Sequence, residues 1–113
     1  MPRPRKPRFV QGRPVAGVFE PDRTPPWGRH VVLLPLEGLE AIRLIDHQGL
    51  DQATAAEVMN VSRQTFGRIL SEARAVVADA LVTGKTLRIE GGDYALPSGG
   101  GRRRRRRRRG GSE

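Results

Sequence analysis

The 113-residue chain contains no cysteine, so neither a disulfide nor a thiolate-bound metal can hold it together, and a packed core has to do so. No apolar run approaches the roughly 18 residues that a membrane span needs. The Pro- and Arg-rich start also lacks the apolar stretch of a signal peptide, and a cytoplasmic, nucleoid-associated location without membrane contact is expected. Histidine is scarce, with only His30 and His47 present, and the carboxylates are scattered along expected helix surfaces. Such an inventory offers neither a nucleophile with its base nor a metal-ligand set, so no enzyme activity, metal or cofactor is expected. His47 near a helix end is best explained as a dipole contact. Gly91-Gly92 is followed by neither the Lys-Ser/Thr pair nor the helix of a phosphate-binding loop.

Acidic residues are missing from the first thirteen positions, where Arg3, Arg5, Lys6, Arg8 and Arg13 stand, and from Arg102 to Arg109, which are eight consecutive arginines. The formal charge of +9 therefore misdescribes the middle of the chain. Without that tract and the terminal Glu113, 13 basic residues face 11 acidic ones. Between His30 and Leu96 six basic residues face nine acidic ones, so the expected domain is slightly acidic and the basicity sits in its arms. Residues 1–29, rich in proline and poor in apolar side chains, are expected to form a largely irregular basic arm in which FVQGRPVAGVFEP hides one short extended piece. Residues 30–96 are expected to form the domain, and residues 97–113, apart from Pro97 and Glu113 only Gly, Ser and Arg, a disordered tail.

Within 30–96 the pattern predicts a mainly α, three-helix domain trimmed by short peripheral strands. VVLL, Val31 to Leu34, suits a strand, and Pro35 suits the first position of a helix because its missing N–H would be unpaired there. LEGLEAIRLIDHQG repeats Leu36, Leu39, Ile42 and Ile45 at three-residue spacing with Glu37, Glu40, Arg43 and Asp46 beside them, a first helix ending at Gly49. Asp51 is placed to cap a second helix, QATAAEVM. Ser62 is placed to cap a third from about Arg63 to Val82, along which Phe66, Ile69, Leu70, Ala73, Val76, Val77, Ala80 and Leu81 form an apolar stripe that Gly84 ends. Leu87 and Ile89 alternate with Arg88 and Glu90 in a strand from Thr86 to Glu90.

The second and third helices carry the functional signal. If Gln52 is position one of a helix-turn-helix, the small residue needed at position five is Ala56, the turn residue at nine is Asn60, and the apolar tenth, fifteenth and eighteenth positions are Val61, Phe66 and Ile69. Asn tolerates the left-handed backbone that such a turn demands. A wheel of 100° per residue leaves Gln64, Gly67, Arg68 and Ser71 opposite the buried stripe, flanked by Arg63 and Arg74, with Thr65 in the same turn. Gln pairs bidentately with adenine and Arg with guanine in a major groove, and an outward Gly67 lets a backbone come close. The expected DNA-binding set is Ser62, Arg63, Gln64, Thr65, Gly67, Arg68, Ser71 and Arg74, with Ser62 and Arg74 at phosphates. Arg3, Arg5, Lys6 and Arg8 are expected to supply a mobile electrostatic arm.

The segments MPRPRKPRFV, FEP, LEAIRL, AAEVMNVSRQTFGRIL, ARAVVADALVTGK and LRIEGGDY, spread over Met1 to Leu96, resemble the small prokaryotic family called domain of unknown function 134. That resemblance implies DNA binding through a helix-turn-helix similar to region four of sigma factors. Two positions depart from the pattern. Pro7 stands where relatives often have Cys, which removes any implied metal or redox role there, and Pro35 stands where Thr is frequent.

The reading that combines these signals is sequence-specific binding of double-stranded DNA by a transcriptional regulator. Two rivals remain. The stripe through Val76, Val77, Ala80 and Leu81 runs further than a minimal helix-turn-helix needs, so it either packs on the first helix, Leu87 and Ile89 or docks RNA polymerase or a sister subunit in a homodimer. The arginine tract alone can also hold nucleic acid without sequence preference, each phosphate contact steepening log K against log salt by about 0.9.

Overall fold

A computed structural model describes residues 8–92, 94 and 95. In chain order the elements are β1 (Val18–Phe19), β2 (Val31–Leu34), α1 (Leu36–Ile42), a π-helical turn (Arg43–His47), α2 (Gln52–Met59), α3 (Arg63–Thr83) and β3 (Thr86–Ile89). The three helices and small sheet make a mainly α domain, and each helix forms where sequence places it.

Local chemistry explains the helix ends. The Asp51 carboxylate accepts from the Thr54 backbone N–H at 2.7 Å, and Ser62 Oγ accepts from the Thr65 N–H at 3.0 Å. Each cap pairs one of the donors that a helix start leaves free. Gly84 closes α3 at φ 73°, a left-handed angle that glycine adopts without a Cβ penalty. The first helix departs from expectation: beyond Ile42 the backbone widens, and the Gln48 N–H reaches back five residues to the Arg43 carbonyl at 2.9 Å. Single π turns of this kind insert a residue into a helix and turn its face. Here Leu44 is driven inward to 2 % exposure while Ile45 is left half-buried.

Two apolar clusters hold the domain. Phe66, Ile69 and Leu70 of α3 meet Ala41, Leu44, Ala55, Ala56 and Met59 between the helices. Leu34, Leu36, Ala73, Ile89 and Val10 fill the space between sheet and helices, with Val76 and Val77 packed at its margin. The sheet order is β1-β3-β2, with β3 parallel to β2 (Val31 beside Thr86, Leu34 beside Ile89) and antiparallel to β1 (Val18 beside Arg88). All three helices lie in the crossover between the parallel strands, so α3 is pinned at one end by α2 and at the other by the sheet.

Three expectations are corrected. Residues 8–29 are largely irregular and hold one short extended piece, β1, as expected, but they pack on the domain, with Val10 2 % exposed and Phe9 bridged to Ala95. Arg8 is therefore no mobile cation, because its Nη1 donates to buried Glu37 at 3.0 Å. Glu37 and Glu40, placed by sequence on an outer face, are buried because α1 is covered by the N-terminal segment as well as by α3, and Arg8 and Arg43 neutralise them. Finally, Leu81 is 79 % exposed, because the buried side of α3 turns toward Val76 and Ala80 once the sheet replaces the helices as its support.

Candidate functional site

The site begins at Asn60, whose φ of 62° and ψ of 42° are left-handed, as expected of a residue that reverses the chain within three positions. That turn, Asn60–Ser62, sends α3 off with Phe66 at 0 %, Ile69 at 7 % and Leu70 at 3 % exposure. Fixing that stripe fixes the opposite side. Arg63, Gln64, Arg68 and Ser71 are all exposed and make one continuous polar edge. Arg63, Gln64, Arg68 and Ser71 have no ion pair or side-chain hydrogen bond with another described residue, so their donors face solvent.

Ser62 is exposed, and its hydroxyl both accepts from Thr65 N–H and donates to Thr65 Oγ1 at 3.0 Å, so Thr65, half-buried, braces the cap rather than standing on the edge. Gly67 is also half-buried. A Cβ built on it would lie 3.8 Å from Gln52 Oε1, which places the Gln52 amide beside the second turn of α3. Gln52 is the residue that sequence reasoning used only as a register mark; its exposure and its place on the first turn of α2 extend the polar edge onto a second helix. The signal that points to it is the glycine fifteen residues on, whose missing side chain leaves room beside that amide.

Arg74 stands apart from this group. Its Nη2 and Nε donate to Asp46 at 2.6 and 3.2 Å, a bidentate pair that ties α3 to the π turn. The hydrogen bonds from Arg74 hold the Asp46 carboxyl below its ordinary pKa, and Asp46 in turn raises that of Arg74. Asp51 is likewise lowered, first by the Thr54 N–H and in smaller part by the charge of Arg63. An anion arriving at Arg74 therefore meets a cation already offset by a carboxylate, with only Nη1 open to it, whereas Arg63 and Arg68 offer all their donors. Glu72 is exposed near the end of the edge and bounds it with negative charge.

Arg8 roots the basic start of the chain. The Phe9 N–H donates to the Met59 carbonyl at 3.0 Å, which sets Phe9 beside the C-terminal end of α2. Arg3, Arg5 and Lys6 lie outside the described residues, as does the tract Arg102 to Arg109. Among the described residues no group of three His, Cys, Asp or Glu side chains is placed to hold a metal ion, and no helix is long and apolar enough to cross a membrane.

Fold and edge together define a small, mainly α domain in which a tight turn presents one long helix with its polar side outward. The chain belongs to the family described as protein of unknown function DUF134, whose pattern it matches over residues 1–97. Among its relatives, a UPF0251 protein of Thermoanaerobacter pseudethanolicus is 52 % identical over 94 residues, 83 % of this chain and 80 % of the relative. One from Ruminiclostridium cellulolyticum is 48 % identical over 99 residues (88 % and 76 % of the two chains), and one from Rhodospirillum rubrum 46 % over 95 residues (84 % and 66 %). No solved structure matches the chain. The arginine tract falls beyond the residues that the family covers.

Proposed function

We propose that the protein binds double-stranded DNA sequence-specifically, using α2 and α3 as a helix-turn-helix, and acts as a transcriptional regulator. The observation that carries this reading is the exposed, unengaged edge of Arg63, Gln64, Arg68 and Ser71 opposite a fully buried stripe, reached through a left-handed turn. In a major groove, Gln64 offers one donor and one acceptor to adenine and Arg68 a donor fork to guanine. The backbone N–H groups at the start of α3, next to the Ser62 cap, meet a phosphate with the helix dipole behind them, and Arg63 adds charge there. Gln52 lies across Gly67 and reaches the same surface from α2. Arg74 meets a phosphate through Nη1, with part of its charge already offset by Asp46.

Because residues 30–96 carry more acidic than basic side chains, attraction to the polyanion comes mainly from the arms, and base contacts supply the discrimination. The alternative, docking of RNA polymerase or a sister subunit, draws on Leu81 and Val82, which are 79 % and 81 % exposed at the far end of α3. The two act at opposite ends of one helix and are separable. Selection of bound fragments from random duplex DNA, with the full chain and with a chain ending at Pro97, tests the DNA reading. A shared enriched motif is expected; no enrichment from either chain overturns it.

A further inference from the structure

On the side of α1 away from α3, the N-terminal segment arches over the helix and leaves an open cavity of about 560 Å³, within the range of sites that hold small organic ligands. Its floor is apolar, made by Val10, Leu36, Leu39 and Ile89, and its lips are Phe19 and Val15, which are 56 % and 107 % exposed. Two guanidiniums line it. Arg43 gives Nε and Nη2 to Glu40 at 2.9 and 2.6 Å, which leaves Nη1 without a partner among the described residues. Arg13 is exposed and makes no ion pair with any described residue. Two cations against the single carboxylate of Glu40 leave one positive charge beside an apolar floor.

We propose that this cavity is a binding site for a small apolar monocarboxylate, with the carboxylate taken by Arg13 and Arg43 Nη1 and the hydrocarbon lying on Leu36, Leu39 and Ile89 beneath Val15 and Phe19. Charge and shape select this class together. A dianion would exceed the single net charge, a neutral hydrocarbon would leave the guanidiniums without an anion, and a small polar acid would leave the floor wet. The site lies on residues that the DNA-reading edge does not use, so it stands or falls independently of that function.

Octanoate is the probe, added to the full-length protein and followed by backbone amide NMR shifts. Saturable shifts are expected in residues 10–19 and 36–43. Each buried methylene is worth about fourfold in affinity, so hexanoate, two methylenes shorter, should bind about fifteenfold more weakly. Octanol, which lacks the anion, and acetate, which lacks the chain, should not saturate in the millimolar range. Val15→Asp changes a fully exposed residue, leaves folding intact, and should abolish the shifts; Arg13→Gln should weaken them severalfold. Equal binding of octanol, shifts reproduced by acetate, unchanged binding to Val15→Asp, or no saturation by octanoate would each overturn the proposal.

Discussion

Replacing glycine by alanine should have opposite effects in two helices of this protein. Gly67 lies within α3, where the nearest atom to an added Cβ is Gln52 Oε1 at 3.8 Å, an ordinary contact. Alanine should therefore collect the full difference in helix propensity, about 1 kcal/mol of added stability. Gly38 is the third residue of α1, and its Cβ would meet Leu34 Cδ1 at 3.0 Å and Ala73 Cβ at 3.1 Å. Leu34 and Ala73 are 1 % and 2 % exposed, and Ala73 cannot retreat without moving α3. Overpacking of this kind costs about 1–3 kcal/mol, which outweighs the propensity gain, so Gly38→Ala should lose about 1 kcal/mol net. Urea unfolding followed by circular dichroism reads both, with unchanged m values expected. The two variants should differ by about 2 kcal/mol, with melting temperatures roughly 4–8 °C apart for each kcal/mol. A Gly38→Ala protein as stable as the parent, or a Gly67→Ala protein less stable, would refute the packing described between α1 and α3. On the DNA reading, Gly67→Ala also sets a methyl on the binding edge, so affinity should fall while stability rises.

Three further outcomes follow from the same contacts. Arg8→Ala removes one cation from the buried Glu37 carboxylate and should cost about 1–3 kcal/mol; urea denaturation showing less than about 0.5 kcal/mol would return Arg8 to a mobile arm. Leu81→Ser should change stability by less than about 0.5 kcal/mol whereas Leu70→Ala should cost about 2–5 kcal/mol, and a large loss in the first would contradict the exposure of Leu81. Asp46, Asp51 and Asp79 are held below their ordinary carboxyl values by Arg74, the Thr54 N–H and Lys85 respectively. Their unfolded forms take up protons first, so their stabilisation is complete above about pH 4 and is lost as pH falls below it. Urea midpoints that stay level from pH 4 to pH 2 would contradict those pairings.

Where one interaction lies within a few residues, sequence was enough to place it. Asp51 with Thr54, Ser62 with Thr65, the left-handed Asn60 and Gly84, and the stripe from Phe66 to Ala73 all follow from short-range chemistry and helical spacing. What escaped depends on distant partners. Glu37 reads as a surface charge until Arg8, 29 positions away, is seen to cover it. Arg74 reads as a free cation until the π turn brings Asp46, 28 positions away, into reach. The stripe of α3 continues in sequence to Leu81, but periodicity says nothing of where the supporting sheet stops. Gln52 and Gly67 meet only because two helices cross, so the amide on the candidate edge was visible as a register position and not as part of the site.

The central claim is that the outward edge of α3 reads bases. It is tested most directly by measuring the affinity of a chain ending at Pro97 for an enriched duplex and for each of its single-base variants, before and after Gln64→Ala and Arg68→Ala. Each substitution should remove about 1–3 kcal/mol of discrimination at one base pair, leaving the other positions and the melting temperature unchanged. Discrimination that survives both substitutions, or an affinity loss spread evenly over all sequences, would contradict it.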